Sequence, residues 1–318
     1  MLTGSNSKRG ARRVWPRSFS DRLTAPLPRP ADMVRIMREG GFRGSTVDAD
    51  RIPVLRNGLA PVPTGTTALT WVGHATYLIR MGGACVLADP VWSDKIPGVP
   101  RRLTPPGVAW SELPKVDAVV ISHNHYDHLD APTIKRLPRN TPVLVPAGLG
   151  EWFTRRGFTD VTELDWWESA EVAGLRFDFV PAHHWSRRGV RDTCRSLWGG
   201  WVITDDPGFR VFHAGDTGYG HWFGEIGERY PDIDVAMLPI GAYAPRWFMK
   251  SVHMDPDEAV KALDDLGAQR LASMHWGTFV LTQEPVIEPL DRIREVWAAR
   301  GKDQADLWDL AVGETRCL

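Results

Sequence analysis

The chain has 318 residues, 43% of them hydrophobic and 24% charged, with a formal net charge of −1 at pH 7. This is the make-up of an ordinary globular protein with a sizeable core, so disorder of the whole chain is excluded, and no global charge draws it to nucleic acid. The three cysteines form no C-x-x-C pair, which argues against a disulfide framework and for a reducing compartment.

Charge is uneven along the chain. Residues 1–60 hold twelve Lys/Arg and five acids. With Pro- and Gly-rich runs such as LTAPLPRPADM and LAPVPTGTT, residues 1–65 read as an irregular basic arm carrying one short helix over 31–39. A solvated tail wrapping the domain is the plain reading of such charge; contact with phosphates or lipid head groups is the other. Arg12 and Arg13 are followed by no apolar h-region, so a secretory or twin-arginine signal is not expected, while an organellar transit peptide stays as an alternative. No run approaches the roughly 18 apolar residues of a membrane helix. The expected location is cytoplasmic, with peripheral membrane contact through the arm as a variant.

From Ala68 the texture changes. ALTWVG, ATYLIRM, ACVLADPV, DAVVIS, PVLVP, RFDFVPA, LWGGWVI, RVFHAG, DVAMLPI and RLASM are short, apolar or alternating runs bounded by Gly, Pro or Asp, as strands are. Helices are expected over 131–137, 149–156, 221–229, 255–266 and 286–300. The clearest has Asp255 as N-cap, Pro256 at its first position, Glu258 completing a capping box and Gly267 as its stop. Strands first, then strands interleaved with helices, predict an α/β domain over 66–318, with two sheets face to face and helices outside.

The densest chemistry is ISHNHYDHLD, residues 121–130. His123 and His125 point one way at period two, Asp127 continues their row, and His128 comes from the turn. Such clustering costs stability unless a cation neutralises it. Imidazole and carboxylate without thiolate suit zinc, manganese or iron at a hydrolytic site. One cation cannot take all four groups from so short a loop and keep a position for water. Two cations fit better, one on His123 and His125 and one on Asp127 and His128. Further donors come from later strand ends: His183 or His184, Asp216 and His275. His74, His213 and His221 read as structural or supporting.

Several blocks in order carry a family likeness: WVGHATYLI, ADPVWSD, ISHNHYDHLD, ELDWWE, HAGDTGY, LPIGAYAPRWFM, HMDPDEAV and MHWGTF. Over residues 65–318 the chain resembles the metallo-β-lactamase superfamily, in particular its N-acyl-phosphatidylethanolamine-hydrolysing phospholipase D branch and, more distantly, its ascorbate-6-phosphate lactonase branch. The resemblance implies a four-layer αββα sandwich and two Zn2+, with Mn2+ or Fe2+ as alternatives. It implies that His123, His125 and His184 hold one metal, that Asp127, His128 and His275 hold the other, and that Asp216 bridges them. His74 and Asp89 would then orient ligand imidazoles, and Asp127 and His253 would serve catalysis, His253 at the leaving group.

The expected substrate is a phospholipid or another phosphodiester. Trp247 and Phe248, with Trp92, Trp166 and Trp167, are read as an acyl groove, and Arg246 as a phosphate contact. A lactonase or sugar-phosphate hydrolase on the same metals is the alternative, which a polar pocket around Trp247 would favour. A non-catalytic metal scaffold is disfavoured because all seven donors are present. β-Lactam hydrolysis does not follow from the fold, and a homodimer is an open expectation.

Overall fold

The computed structural model describes residues 13–206 and 208–318. The first twelve residues, with Arg12 of the pair weighed as a targeting signal, lie outside them. The first sheet is built from β1 (Ala68–Gly73), β2 (Thr76–Met81), β3 (Ala84–Ala88), β4 (Ala118–Val120), β5 (Val143–Pro146) and β6 (Val161–Leu164). The second holds β7 (Ser169–Val172), β8 (Leu175–Val180), β9 (Gly200–Thr204), β10 (Arg210–His213), β11 (Val235–Pro239), β12 (Arg270–Met274) and β13 (Leu307–Trp308). Finally β14 (Thr315–Cys317) returns to the first sheet and pairs antiparallel with β1.

Alternation along the strands sets the layers. Leu69, Trp71, Ile79, Val86, Val120 and Leu144 face inward onto Phe177, Phe179, Trp201, Ile203 and Phe212 of the second sheet. Their neighbours Val72, Leu78, Leu87, Val119, Val143 and Val145 face outward, onto Ile134 of α2 (Ala131–Arg136) and Phe153 of α3 (Gly150–Thr154). On the far side the second sheet is covered by α4 (Trp222–Arg229), α6 (Pro256–Leu266) and α7 (Glu288–Ala299), with α5 (Arg246–Met249) in the loop after β11. The result is an αββα sandwich, because each sheet buries both faces.

The best-marked helix starts and stops where its residues dictate. Asp255 accepts the N–H of Glu258 at 3.0 Å, and Gly267 ends α6 with φ 63°. The strands β6, β7, β13 and β14 add to those read from sequence. β7 is half-exposed along its length and β13 has two residues, so neither carries an apolar run.

Strand direction explains where function collects. β1, β3, β4 and β5 run one way, since β1 and β3 each pair antiparallel with β2 and β3, β4 and β5 are parallel. In the second sheet β8, β10, β11 and β12 likewise run together. Their C-terminal ends deliver His74, Asp89 and the 121–130 loop from one sheet, and His184, Asp216 and His275 from the other.

The N-terminal arm is not a loose tail. Phe19, Ile36 and Ile52 are buried, and Phe19 and Ile52 belong to the inter-sheet core. The Phe19 N–H donates to Cys194 O at 2.7 Å. The helix expected near 31–39 is α1 (Pro30–Arg38).

Candidate metal centre

Local backbone aims the donors. His74, Asp89 and His275 adopt φ of 55°, 42° and 63°, left-handed values that cost non-glycine residues about 1–3 kcal/mol each unless the surroundings impose them. Gly215, with φ 61°, is required before Asp216, because a Cβ there would lie 2.5 Å from Ser122 Cβ. Ser122 in turn gives its N–H to Asp89 Oδ1 at 2.7 Å, tying β3 to the histidine loop.

Two groups of donors result. His123, His125, His184 and Asp216 each offer an atom within 4.8 Å of the others, and so do His74, Asp127, His128 and His275. In the first, His125 Nδ1 lies 2.9 Å from His123 Nε2 and 3.2 Å from His184 Nε2. Asp216 joins the groups: its Oδ2 is 3.7 Å from His123 Nε2 and 3.1 Å from His128 Nε2, and its Oδ1 is 2.9 Å from His275 Nε2. Yet His128 Nε2, His275 Nε2 and Asp216 Oδ1 are buried without a properly directed hydrogen bond. Polar atoms this close that do not aim at one another converge on a common point, as ligands of a cation do.

Electrostatics agree. Burial, reinforced by neighbouring histidines, holds His123 well below the usual range. Burial pushes His125 down to about 4 and holds His184 well below its usual value, so all three rings are neutral donors. Burial alone would raise Asp127 and Asp216, but His128 outweighs it and both stay ionised. Conversely, burial would lower His128 and His275, yet Asp216 outweighs it, raising His128 well above its usual value and His275 to about 9. Protons on these two rings supply the positive charge that two buried carboxylates demand. A pair of divalent cations fits the same donors.

Around the donors the supporting roles divide. Asp89 Oδ2 lies 2.7 Å from His128 Nδ1 and so orients a ring, as expected. His74 differs from expectation: its Nε2 is 2.9 Å from Asp127 Oδ2, so it steadies a carboxylate rather than an imidazole. His184, not His183, enters the cluster; His183 instead reaches Thr24 Oγ1 at 2.8 Å and pins the arm. His213 bonds Ala75 O at 2.9 Å and is structural. His253 is buried, its ring centre 5.3 Å from that of His184 and 5.4 Å from that of His275, and burial lowers it to about 4.

A cavity of about 1110 Å3 opens onto His125, His184 and His253. Trp247 and Phe248 line it, as expected, together with Met249 and, from the arm, Leu23, Leu27, Met33 and Phe42. The arm's share was not legible, because its apolar residues sit singly among prolines. Arg246 does not line the cavity. Its guanidinium donates to His253 O at 2.9 Å and to Glu258 Oε2 at 2.6 Å, since the capping carboxylates of α6 lie closer to it than the cavity does. Trp92 and Trp166 are core residues that donate to Val108 O and Trp198 O, and Trp167 packs on Trp222; none reaches the cavity. Arg187 and Trp185, from the loop after His184, do line it.

A family described as "Beta-lactamase superfamily domain" matches residues 85–276, which contain all seven donors. The chain belongs to the metallo-β-lactamase superfamily. It is a metal-dependent hydrolase of that superfamily. It is 40% identical to "N-acyl-phosphatidylethanolamine-hydrolyzing phospholipase D 1" of Caenorhabditis elegans over 73% of this chain and 70% of that one. It is 36% identical to the mitochondrial N-acyl-phosphatidylethanolamine-hydrolyzing phospholipase D of Saccharomyces cerevisiae over 78% of this chain, but the match spans only 55% of the yeast protein. Among solved structures, a metallo hydrolase from the archaeon Ignicoccus hospitalis superposes with a TM-score of 0.61 at 25% identity, covering 80% of this chain and 98% of that one.

Proposed function

We propose that the chain is a dinuclear zinc phosphodiesterase of phospholipase D type that hydrolyses N-acyl-phosphatidylethanolamine or a closely related phospholipid. The observation that carries this reading is the apolar cavity abutting the donor cluster. Its volume of about 1110 Å3 exceeds the ~300–1,000 Å3 of a typical small-molecule pocket, and Leu23, Leu27, Phe42, Trp247 and Phe248 suit acyl chains. A lactone or sugar phosphate would need polar partners that these walls lack.

His123, His125 and His184 would hold one cation, Asp127, His128 and His275 the other, and Asp216 would span both. Bound there, the ions supply an activated water and offset charge on the phosphoryl oxygens. The chain's own residues do the rest. Asp89 and His74 fix His128 and Asp127, so the donors need little reorganisation. The apolar walls exclude bulk water and hold the lipid. In the reaction an oxygen from water bonds to phosphorus and the bond to the ethanolamine oxygen breaks. The proton released goes to that oxygen, and His253 is the imidazole placed to donate to it. The products are an N-acylethanolamine and phosphatidic acid.

The test is the purified zinc-loaded protein on N-acyl-phosphatidylethanolamine in micelles, with both products quantified. Turnover that falls to background in Asp216→Ala is expected. An inactive wild type, or an undiminished Asp216→Ala, sinks the proposal.

A further inference from the structure

Two elements far apart in sequence present the same chemistry at the rim of the cavity. On α1, Met33, Val34 and Met37 share one face and are 39%, 51% and 62% exposed, while Ile36 is fully buried on the opposite one. Trp247 of α5, 39% exposed, stands beside α1, with the Arg35 guanidinium 3.9 Å from its ring centre. The second element is the 186–195 turn, sequence SRRGVRDTCR. There Val190 is 89% exposed between Arg187 and Arg191. Both elements line the cavity, one through Met33 and Arg35, the other through Arg187 and Thr193.

The exposure of Val190 is built in. Asp192 Oδ1 accepts the N–H groups of Arg188 and Gly189 at 3.1 and 2.7 Å, and Arg188 Nη1 turns inward to Asn124 O and Leu129 O. The turn is therefore held at both ends with its apolar tip outward. Single exposed apolar residues need no explanation, but five of the eight large exposed ones among the described residues belong to this rim. The rim is also basic. Arg29 and Arg35 are matched by Asp32 and Glu39, whereas among the described residues no carboxylate lies within ion-pair distance of Arg38, Arg187 or Arg191. The chain as a whole carries −1.

We infer that this rim is a docking surface for an anionic lipid bilayer. Val34, Met37 and Val190 enter the boundary between head groups and acyl chains, and Arg38, Arg187 and Arg191 meet lipid phosphates. The cavity mouth is thereby pressed against the membrane, and a lipid substrate passes into it without crossing water. Only that last consequence rests on the phospholipid reading; docking itself does not.

The test is co-sedimentation of the metal-loaded protein with phosphatidylcholine vesicles, with and without phosphatidylglycerol. The variant is Val34→Asp/Met37→Asp/Val190→Asp, whose three positions lie outside the cavity lining. Wild type is expected to bind the anionic vesicles, less so in high salt, and the triple variant to partition at least about tenfold more weakly with unchanged metal content and melting temperature. Arg38→Gln and Arg191→Gln should each weaken binding roughly fivefold. No wild-type binding, or equal binding by wild type and triple variant, overturns the inference. So does a wild-type dimer that the triple variant turns into a monomer without loss of vesicle binding, because the face is then a contact between copies. Hydrolysis of detergent-dispersed lipid is the separate readout: its absence counts against the phospholipid reading, while vesicle binding alone decides docking.

Discussion

Asp89 Oδ2 and His128 Nδ1 lie 2.7 Å apart with both side chains fully buried, so a carboxylate from the end of β3 fixes the ring that faces Asp216. Asp89→Ala is expected to weaken metal retention about 10- to 100-fold by freeing that ring. Metal content after dialysis against graded chelator measures it. Wild-type retention in the variant would show that His128 is held by other means.

Metal uptake should depend on pH in a definite direction. His275 is raised to about 9 and His128 well above its usual value, so both carry protons at neutral pH when no cation is present. A cation must displace them. Affinity at this half of the centre therefore rises with pH and levels off above about 9. The half built on His123, His125 and His184 is neutral across this range and contributes no such slope. Calorimetry in buffers of different ionisation enthalpy counts the protons released; zero release at pH 7 would contradict the assignment.

Arg246→Met separates structural support from substrate contact. The guanidinium is 29% exposed and joined to Glu258, Asp255 and the His253 carbonyl. Its loss should cost about 1–3 kcal/mol of stability. It should also lower kcat by loosening His253 and leave KM unchanged. A raised KM at unchanged melting temperature would place this arginine on the substrate.

Phe42 and Phe248 meet edge to face across the cavity, ring centres 6.0 Å apart, one from the arm and one from α5. Truncating either to Ala should raise KM for long-chain lipids about tenfold or more, the loss of one well-buried aromatic contact. Short-chain substrates should be nearly unaffected. Equal effects on both chain lengths would place the acyl chains elsewhere.

The sequence revealed most where chemistry is local. ISHNHYDHLD announces donors because four ligand-type side chains in ten residues have no packing explanation, and α6 announces itself through Asp255, Pro256 and Gly267. Arg246 misled for a physical reason. A guanidinium near an aromatic run looks available to phosphate until the fold shows that Asp255 and Glu258 already surround it. The arm was opaque for the opposite reason. Leu23, Leu27 and Met33 follow neither the helical nor the strand period, so nothing in the chain says that they roof a cavity.

Phe19 has a consequence for how the molecule comes apart. It is 1% exposed, set between the sheets' hydrophobic interior and the backbone of Cys194. The change of composition near residue 65 is thus a border in texture and not in cooperativity. Arm and body should melt in one transition, and amides on either side of the border should exchange together. A chain begun at residue 66 would not be a trimmed enzyme but a sandwich with an open seam, its donor cluster facing bulk solvent.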